Sequence, residues 1–215
     1  MVLINPNTST ATTAMMTALA RRALGGAIPV RGVTVTRGPR MLTDPAALDA
    51  AAREVVAAGL RATAAGDCAA LVVGAFGDPG AAELRAATDV PVVGLGEAAL
   101  REAASGGTPF GIATTTPLLA EAIAARVAAL GLADRYTGLR LTTGAPEHLS
   151  AAPESLLDEL EHAVRACVER DGARAVVIGG GPLGEAAEEL RIRCDVRIVA
   201  PIPAACRVLA RSLGR

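Results

Sequence analysis

Val72-Val73-Gly74-Ala75-Phe76-Gly77-Asp78-Pro79-Gly80 is an apolar, β-branched run that stops at small residues and gives way to an Ala/Glu/Leu-rich helical pattern. Val177-Ile178-Gly179-Gly180-Gly181-Pro182-Leu183-Gly184 does the same later in the chain. Each reads as a strand entering a glycine turn and then a helix. In an open parallel sheet ligands sit beyond the carboxyl ends of the strands, so these turns are the expected walls of a site.

The two stretches belong to a longer repeat. Val73-Gly74-Ala75 matches Ile178-Gly179-Gly180 at an offset of 105, and Glu83-Leu84-Arg85 matches Glu189-Leu190-Arg191 at 106. Asp89-Val90 matches Asp195-Val196 and Ala98-Ala99 matches Ala204-Ala205, both again at 106, so the slip falls in the turn. The expected fold class is α/β, with two similar halves, parallel sheets related by a pseudo-twofold, and a site in the cleft between them. The halves divide at 1-106 and 107-215, with the last helix of the first half free to pack on the second. A Rossmann reading fails, because the first strand-helix turn is Asn5-Pro6-Asn7-Thr8 rather than GxGxxG.

Outward from the turns, Val2 to Ile4 reads as a strand, with Thr8 or Ser9 capping a helix to about Leu24. Gly32 to Thr36 is a strand, and Asp44-Pro45 opens a helix toward Ala65. Ala69 to Val73 is the third strand, Pro79 to Thr88 its helix, Val90 to Leu95 the fourth strand and Glu97 to Ser105 a helix. The pattern restarts with a strand at Phe110 to Ala113, a Thr114-Thr115-Thr116-Pro117 turn and a helix to about Leu130. Leu139 to Thr142 is readable as a strand and Gly144 to Pro153 as a loop. A helix at Glu154 to Arg170, a strand at Ala175 to Ile178 and a helix at Glu185 to Arg191 follow. Val196 to Val199 is a strand, and Ala204 to Leu213 the final helix.

Composition narrows the function. Of 215 residues 51% are hydrophobic and 1% aromatic, with a formal charge of -1, which disfavours nucleic acid as a partner. No apolar run approaches the roughly 20 residues of a membrane span, and no charged region precedes Val2-Leu3-Ile4, so a cytoplasmic protein without a membrane partner is expected. Cys68, Cys167, Cys194 and Cys206 lack CxxC spacing and read as reduced core thiols. With only His148 and His162 there is no zinc motif, and no metal site is expected.

Ile4-Asn5-Pro6-Asn7-Thr8, Ala75-Phe76-Gly77-Asp78-Pro79-Gly80, Gly94-Leu95-Gly96-Glu97-Ala98 and Ala113-Thr114-Thr115-Thr116-Pro117, in this order, resemble the aspartate/glutamate racemase superfamily, hydantoin-racemase-like branch. The resemblance covers nearly the whole chain. It implies a small carboxylate or cyclic amide as substrate, no cofactor, a homo-oligomer, and two facing cysteines that remove and return the substrate's α-proton. The positions matching those cysteines are Ala75 and Gly180, and neither a methyl nor a hydrogen accepts a proton. The other cysteines lie before their strands or in C-terminal elements.

What remains is binding apparatus. Phe76, Gly77, Gly180 and Gly181 offer backbone N–H groups where two helices begin, and Thr114, Thr115 and Thr116 offer hydroxyls at a third. The resemblance implies substrate contacts from Asn7 and Thr115, and the binding set is Asn7, Ala75, Phe76, Gly77, Thr114, Thr115, Gly180 and Gly181. Thr116 and Asp78 also read as helix caps before Pro117 and Pro79. Asp78, Glu97 and a lid-borne His148 are the candidates for acid or base, and Arg37 and Arg40 for gripping a second carboxylate. The expected activity is a cofactor-independent isomerase or lyase reaction without paired thiols. A catalytically silent binding protein and a weak hydantoin or amino-acid racemase are the alternatives.

Overall fold

Two four-stranded parallel sheets form the frame, in a computed structural model that describes residues 1–214. The first runs β2-β1-β3-β4, from β1 (Val2–Asn5), β2 (Arg31–Thr34), β3 (Leu71–Val73) and β4 (Val92–Gly94). The second runs β6-β5-β7-β8, from β5 (Phe110–Thr114), β6 (Tyr136–Leu141), β7 (Ala175–Ile178) and β8 (Arg197–Val199). The two orders are the same order repeated, which is the pseudo-twofold that the sequence repeat announces. Every residue of β1, β3, β5 and β7 is buried, as befits central strands covered by helices on both faces.

The helices of the first half are α1 (Thr10–Leu24), α2 (Pro45–Ala64), α3 (Ala81–Ala87) and α4 (Leu95–Ala103). Those of the second are α5 (Ala120–Ala129), α6 (Pro146–Ser150), α7 (Pro153–Glu169), α8 (Gly184–Arg193) and α9 (Pro201–Ser212). Ser9 caps α1, its side chain accepting from Thr12 N, and Asp44 caps α2 through Ala47 N. The two helices that follow the last strand of each sheet cross over. α4 packs on β7, β8 and α9, while α9 packs on α1 and β4. One apolar core therefore runs through both halves, with Leu95, Leu100 and Leu209 fully buried in it. Truncating any of these to alanine would cost about 2–5 kcal/mol.

Several boundaries differ from the sequence reading for local reasons. β6 begins at Tyr136 rather than Leu139, because a register shift at Phe110/Gly111 lets it pair along all of β5. The expected loop at Gly144 to Pro153 contains α6, whose Pro146 occupies the first turn, where a missing N–H costs nothing. For the same reason α9 starts at Pro201 instead of Ala204. The helix expected directly after Pro117 begins as a short 3₁₀ turn, Pro117–Leu119, before α5.

Candidate functional site

Equivalent hydrogen bonds set the two glycine turns. Gly74 N donates to Ile4 O at 2.8 Å and Gly179 N to Ala113 O at 2.8 Å, so each turn hangs from the neighbouring central strand. The turns touch each other: a Cβ on Gly181 would stand 2.6 Å from Gly74 O, which only a glycine permits. Beside this contact lies a cavity of about 390 Å³. Asn7, Ala75, Phe76, Gly77, Thr115, Gly180 and Gly181 line it, so seven of the eight proposed binding residues share one space. The eighth, Thr114, does not. It is fully buried and its Oγ1 donates to Gly179 O at 2.7 Å, tying β5 to the second turn.

Several lining residues carry donors without a protein partner. Asn7 Oδ1 accepts from Asn5 Nδ2 (2.8 Å) and Ser9 N (2.9 Å), and the Asn7 amide Nδ2 has no hydrogen-bond partner among the described residues. Buried Asn5 fixes that orientation: its Oδ1 accepts Asn7 N, while its Nδ2 also reaches Ser9 O and Thr13 Oγ1. The backbone N–H groups of Ala75, Phe76, Gly77, Thr115 and Gly181 likewise have no protein acceptor among the described residues. The Gly180 N–H is different, because it donates to Ile178 O at 3.0 Å and is not available to a ligand. Such a ring of unpaired donors suits carbonyl or carboxylate oxygens.

The remaining walls are apolar. Leu48 comes from α2, Leu119 from the turn before α5, Leu156 and Leu157 from α7, and Leu183 from the second turn. Met41 and Leu42 close one side and Pro146 and Ser150 another. Phe76 and Leu119 also line a second chamber of about 320 Å³ that Arg126 borders. Sequence reasoning missed these walls, because leucines on amphipathic helices look alike whether they face a core or a cavity. It also passed over Glu185 and Glu189, exposed carboxylates of α8 at the cavity's edge.

The structure moves each acid-base candidate away from the cavity. Asp78 caps a neighbouring helix rather than its own: Oδ1 accepts Gly96 N at 2.8 Å and Oδ2 accepts Glu97 N at 2.7 Å, at the start of α4. Its side chain is fully buried and paired with Arg126 Nη2 at 2.9 Å. A positive φ of 50° at Asp78, which aspartate tolerates, aims it there. Glu97 forms ion pairs with Arg85 (3.0 Å), Arg101 (2.9 Å) and Arg126 (3.6 Å). Partial burial alone would raise its carboxyl, but the Arg101 hydrogen bond and the Arg85 charge outweigh that and hold it below its ordinary value.

His148 is exposed on α6, and Pro146 and Ser150, four residues apart on the other face of that turn, line the cavity in its place. Arg37 pairs with Glu54 at 2.8 Å, and neither it nor exposed Arg40 reaches the cavity. Thr116 makes no capping bond; its Oγ1 lies 3.3 Å from Thr114 Oγ1. No cysteine lines the cavity, and burial pushes Cys167 and Cys206 up to about 11, leaving them protonated near neutrality.

Asp78 carries a pH signature. Burial pushes it from 3.8 up to about 6 against the lowering effects of the Glu97 N–H, the Arg126 charge and the Gly96 N–H. The native fold therefore binds this proton more tightly than the unfolded chain does. Its contribution to unfolding free energy is fully present below about pH 4 and is lost as pH rises through 6, at about 1.4 kcal/mol per pH unit. Denaturant melts of the native protein and Asp78→Asn across that window should show their difference shrinking by about 3 kcal/mol. A pH-independent difference would contradict it.

The chain has relatives along nearly its whole length. The sequence profile of the Asp/Glu/hydantoin racemase family matches residues 1–209. Hydantoin racemase from Paenarthrobacter aurescens is 27% identical over 207 residues, spanning 96% of this chain and 88% of the relative. Among solved structures, allantoin racemase from Klebsiella pneumoniae superposes with a TM-score of 0.92 at 25% identity, covering 99% of this chain and 87% of that one. Arylmalonate decarboxylase shares the fold, with a TM-score of 0.68 at 21% identity over 98% of this chain and 90% of that one. Two repeated halves, paired glycine turns and a full-length match place the chain in the Asp/Glu/hydantoin racemase family.

Proposed function

We propose that the protein binds a small carboxylate or cyclic amide in the cavity between the two turns and acts on it as a cofactor-independent isomerase or lyase that uses no pair of thiols. One observation carries this: unpaired donors from Asn7, Ala75, Phe76, Gly77 and Thr115 line a cavity whose wall positions Ala75 and Gly180 hold only a methyl and a hydrogen. Donors held in place before reaction stabilise negative charge as it develops on a carbonyl or carboxylate oxygen. Leucines on the other walls keep water away and strengthen those hydrogen bonds. An enolate formed by loss of carbon dioxide, or by transfer of an α-proton to a water molecule, is the species such a site favours. The names of the hydantoin and allantoin racemases support a cyclic amide, and arylmalonate decarboxylase is a lyase on the same fold.

A second reading, a silent ligand-binding protein, is favoured by the lack of any buried acid or base among the lining residues, Glu185 and Glu189 being exposed. Incubation in deuterium oxide with amino acids, hydantoins, allantoin and malonates separates the two. The enzyme reading expects thermal stabilisation by at least one class, together with product or α-deuteration. Stabilisation without turnover across the panel would leave the silent binder, and no stabilisation at all would sink both.

A further inference from the structure

The second chamber, of about 320 Å³, adjoins the cavity at the turns rather than standing apart from it. Leu48, Phe76, Gly77, Thr116, Leu119 and Gly179 line both spaces. Phe76 and Leu119 form the partition, the Phe76 ring leaning on the second turn so closely that a Cβ on Gly179 would stand 3.4 Å from its Cε1. Behind the partition the floor is apolar and deep: Leu100 of α4 is fully buried and Ile123 of α5 is 6% exposed. Ala122, Ala125 and Ala129, spaced three and four residues apart and so on one face of α5, complete the wall. Their short side chains leave the space hollow.

Thr116 and Arg126 carry the polar side chains among the described residues lining this chamber, and both are engaged elsewhere. Thr116 Oγ1 lies 3.3 Å from Thr114 Oγ1, and Arg126 Nη2 pairs with Asp78 at 2.9 Å and Glu97 at 3.6 Å. A polar group placed here loses water without gaining a partner, whereas an apolar one gains by burial. An apolar cavity of about 150 Å³ already holds a benzene ring, so size admits an aromatic or branched aliphatic group. We propose, on the basis of the functional reading above, that the second chamber receives the substituent on the ligand's reacting carbon. The preferred ligand is then a cyclic amide bearing an aromatic or branched aliphatic group, selected by Phe76, Leu119 and Ile123. Its ring oxygens meet Asn7 and the free N–H groups of the first turn, while the substituent passes the partition toward Leu100. A ureido substituent, such as allantoin carries, finds no partner there.

Benzylhydantoin, methylhydantoin and allantoin, which differ only in the ring-carbon substituent, test this. Titration should show the benzyl compound binding about 10- to 100-fold tighter than the methyl one, the range for burying an aromatic side chain, with allantoin no tighter than methyl. Ala122→Leu/Ala125→Leu fills the chamber from α5 without touching the first cavity, and should abolish the benzyl preference while leaving the methyl compound's affinity unchanged. Amide shift mapping on the unaltered protein keeps the test open should that variant not fold: the benzyl compound should move the amides of Ala122, Ile123 and Ala125, and the methyl compound should not. Equal binding of benzyl and methyl, tightest binding of allantoin, a preference that survives the double substitution, or unmoved α5 amides overturns the inference and leaves the functional reading standing. Failure of all three to bind overturns both.

Discussion

Cysteine at both wall positions, Ala75→Cys with Gly180→Cys, is expected to raise α-proton exchange of a bound cyclic amide by roughly 10²- to 10⁴-fold over the unaltered protein, the span that positioned acid-base groups supply. The backbone accepts both changes. Ala75 already carries the Cβ and lines the cavity. Gly180 has φ 175°, an extended conformation open to any residue, and its new Cβ would stand 3.0 Å from Leu183 Cγ and Cδ1, a leucine end that has to give by a few tenths of an ångström. Each single cysteine serves one face of the carbon, so the double variant should exceed both singles in racemisation. Deuterium incorporation followed by NMR measures it. A double variant with an unchanged melting temperature and no gain in exchange would mean that the two turns do not face one substrate.

Asp78→Ala is expected to destabilise the fold by about 3–5 kcal/mol, the combined cost of stripping three donors of their acceptor and breaking a part-buried ion pair. At this chain length that is a fall in melting temperature of roughly 6 to 20 °C. Three donors lose their acceptor at once: Gly96 N, Glu97 N and Arg126 Nη2. Arg126 Nε is already buried without a hydrogen-bond partner, which leaves the guanidinium little slack. Asp78 on the first turn joins α4 to α5 of the second half, so its loss also frees the Ala75-Phe76-Gly77 segment. Thermal and urea unfolding should agree, and a shift below about 2 °C would show that α4 and α5 hold the turn without it.

The fold was legible because its signals are local and doubled. β-branched runs ending in glycine, repeated at an offset that slips by one residue, specify strands, turns and their pairing, and the observed strand orders repeat accordingly. The turn residues Ala75, Phe76, Gly77, Gly180 and Gly181 could be placed at a cavity because strand ends in a parallel sheet point one way. Side-chain destinations were not legible. Asp78 precedes Pro79 like an ordinary cap, yet its positive φ sends the carboxylate to a helix start 18 residues away. Arg126 gave no sequence signal at all, since its partner lies 48 residues off in the other half. The Gly180 N–H, counted as a free donor from its place before a helix, is consumed by a tight turn onto Ile178.

The ligand is expected in the space between the two turns, which no cysteine lines. Backbone amide shift mapping, with the panel compound that stabilises the protein most, tests it directly. The predicted result is movement of the Ala75, Phe76, Gly77, Thr115 and Gly181 amides and of the Asn7 side-chain NH₂, with the amides of Cys68, Cys167 and Cys206 undisturbed. Shifts centred on the cysteines, with the turn amides unmoved, would contradict it.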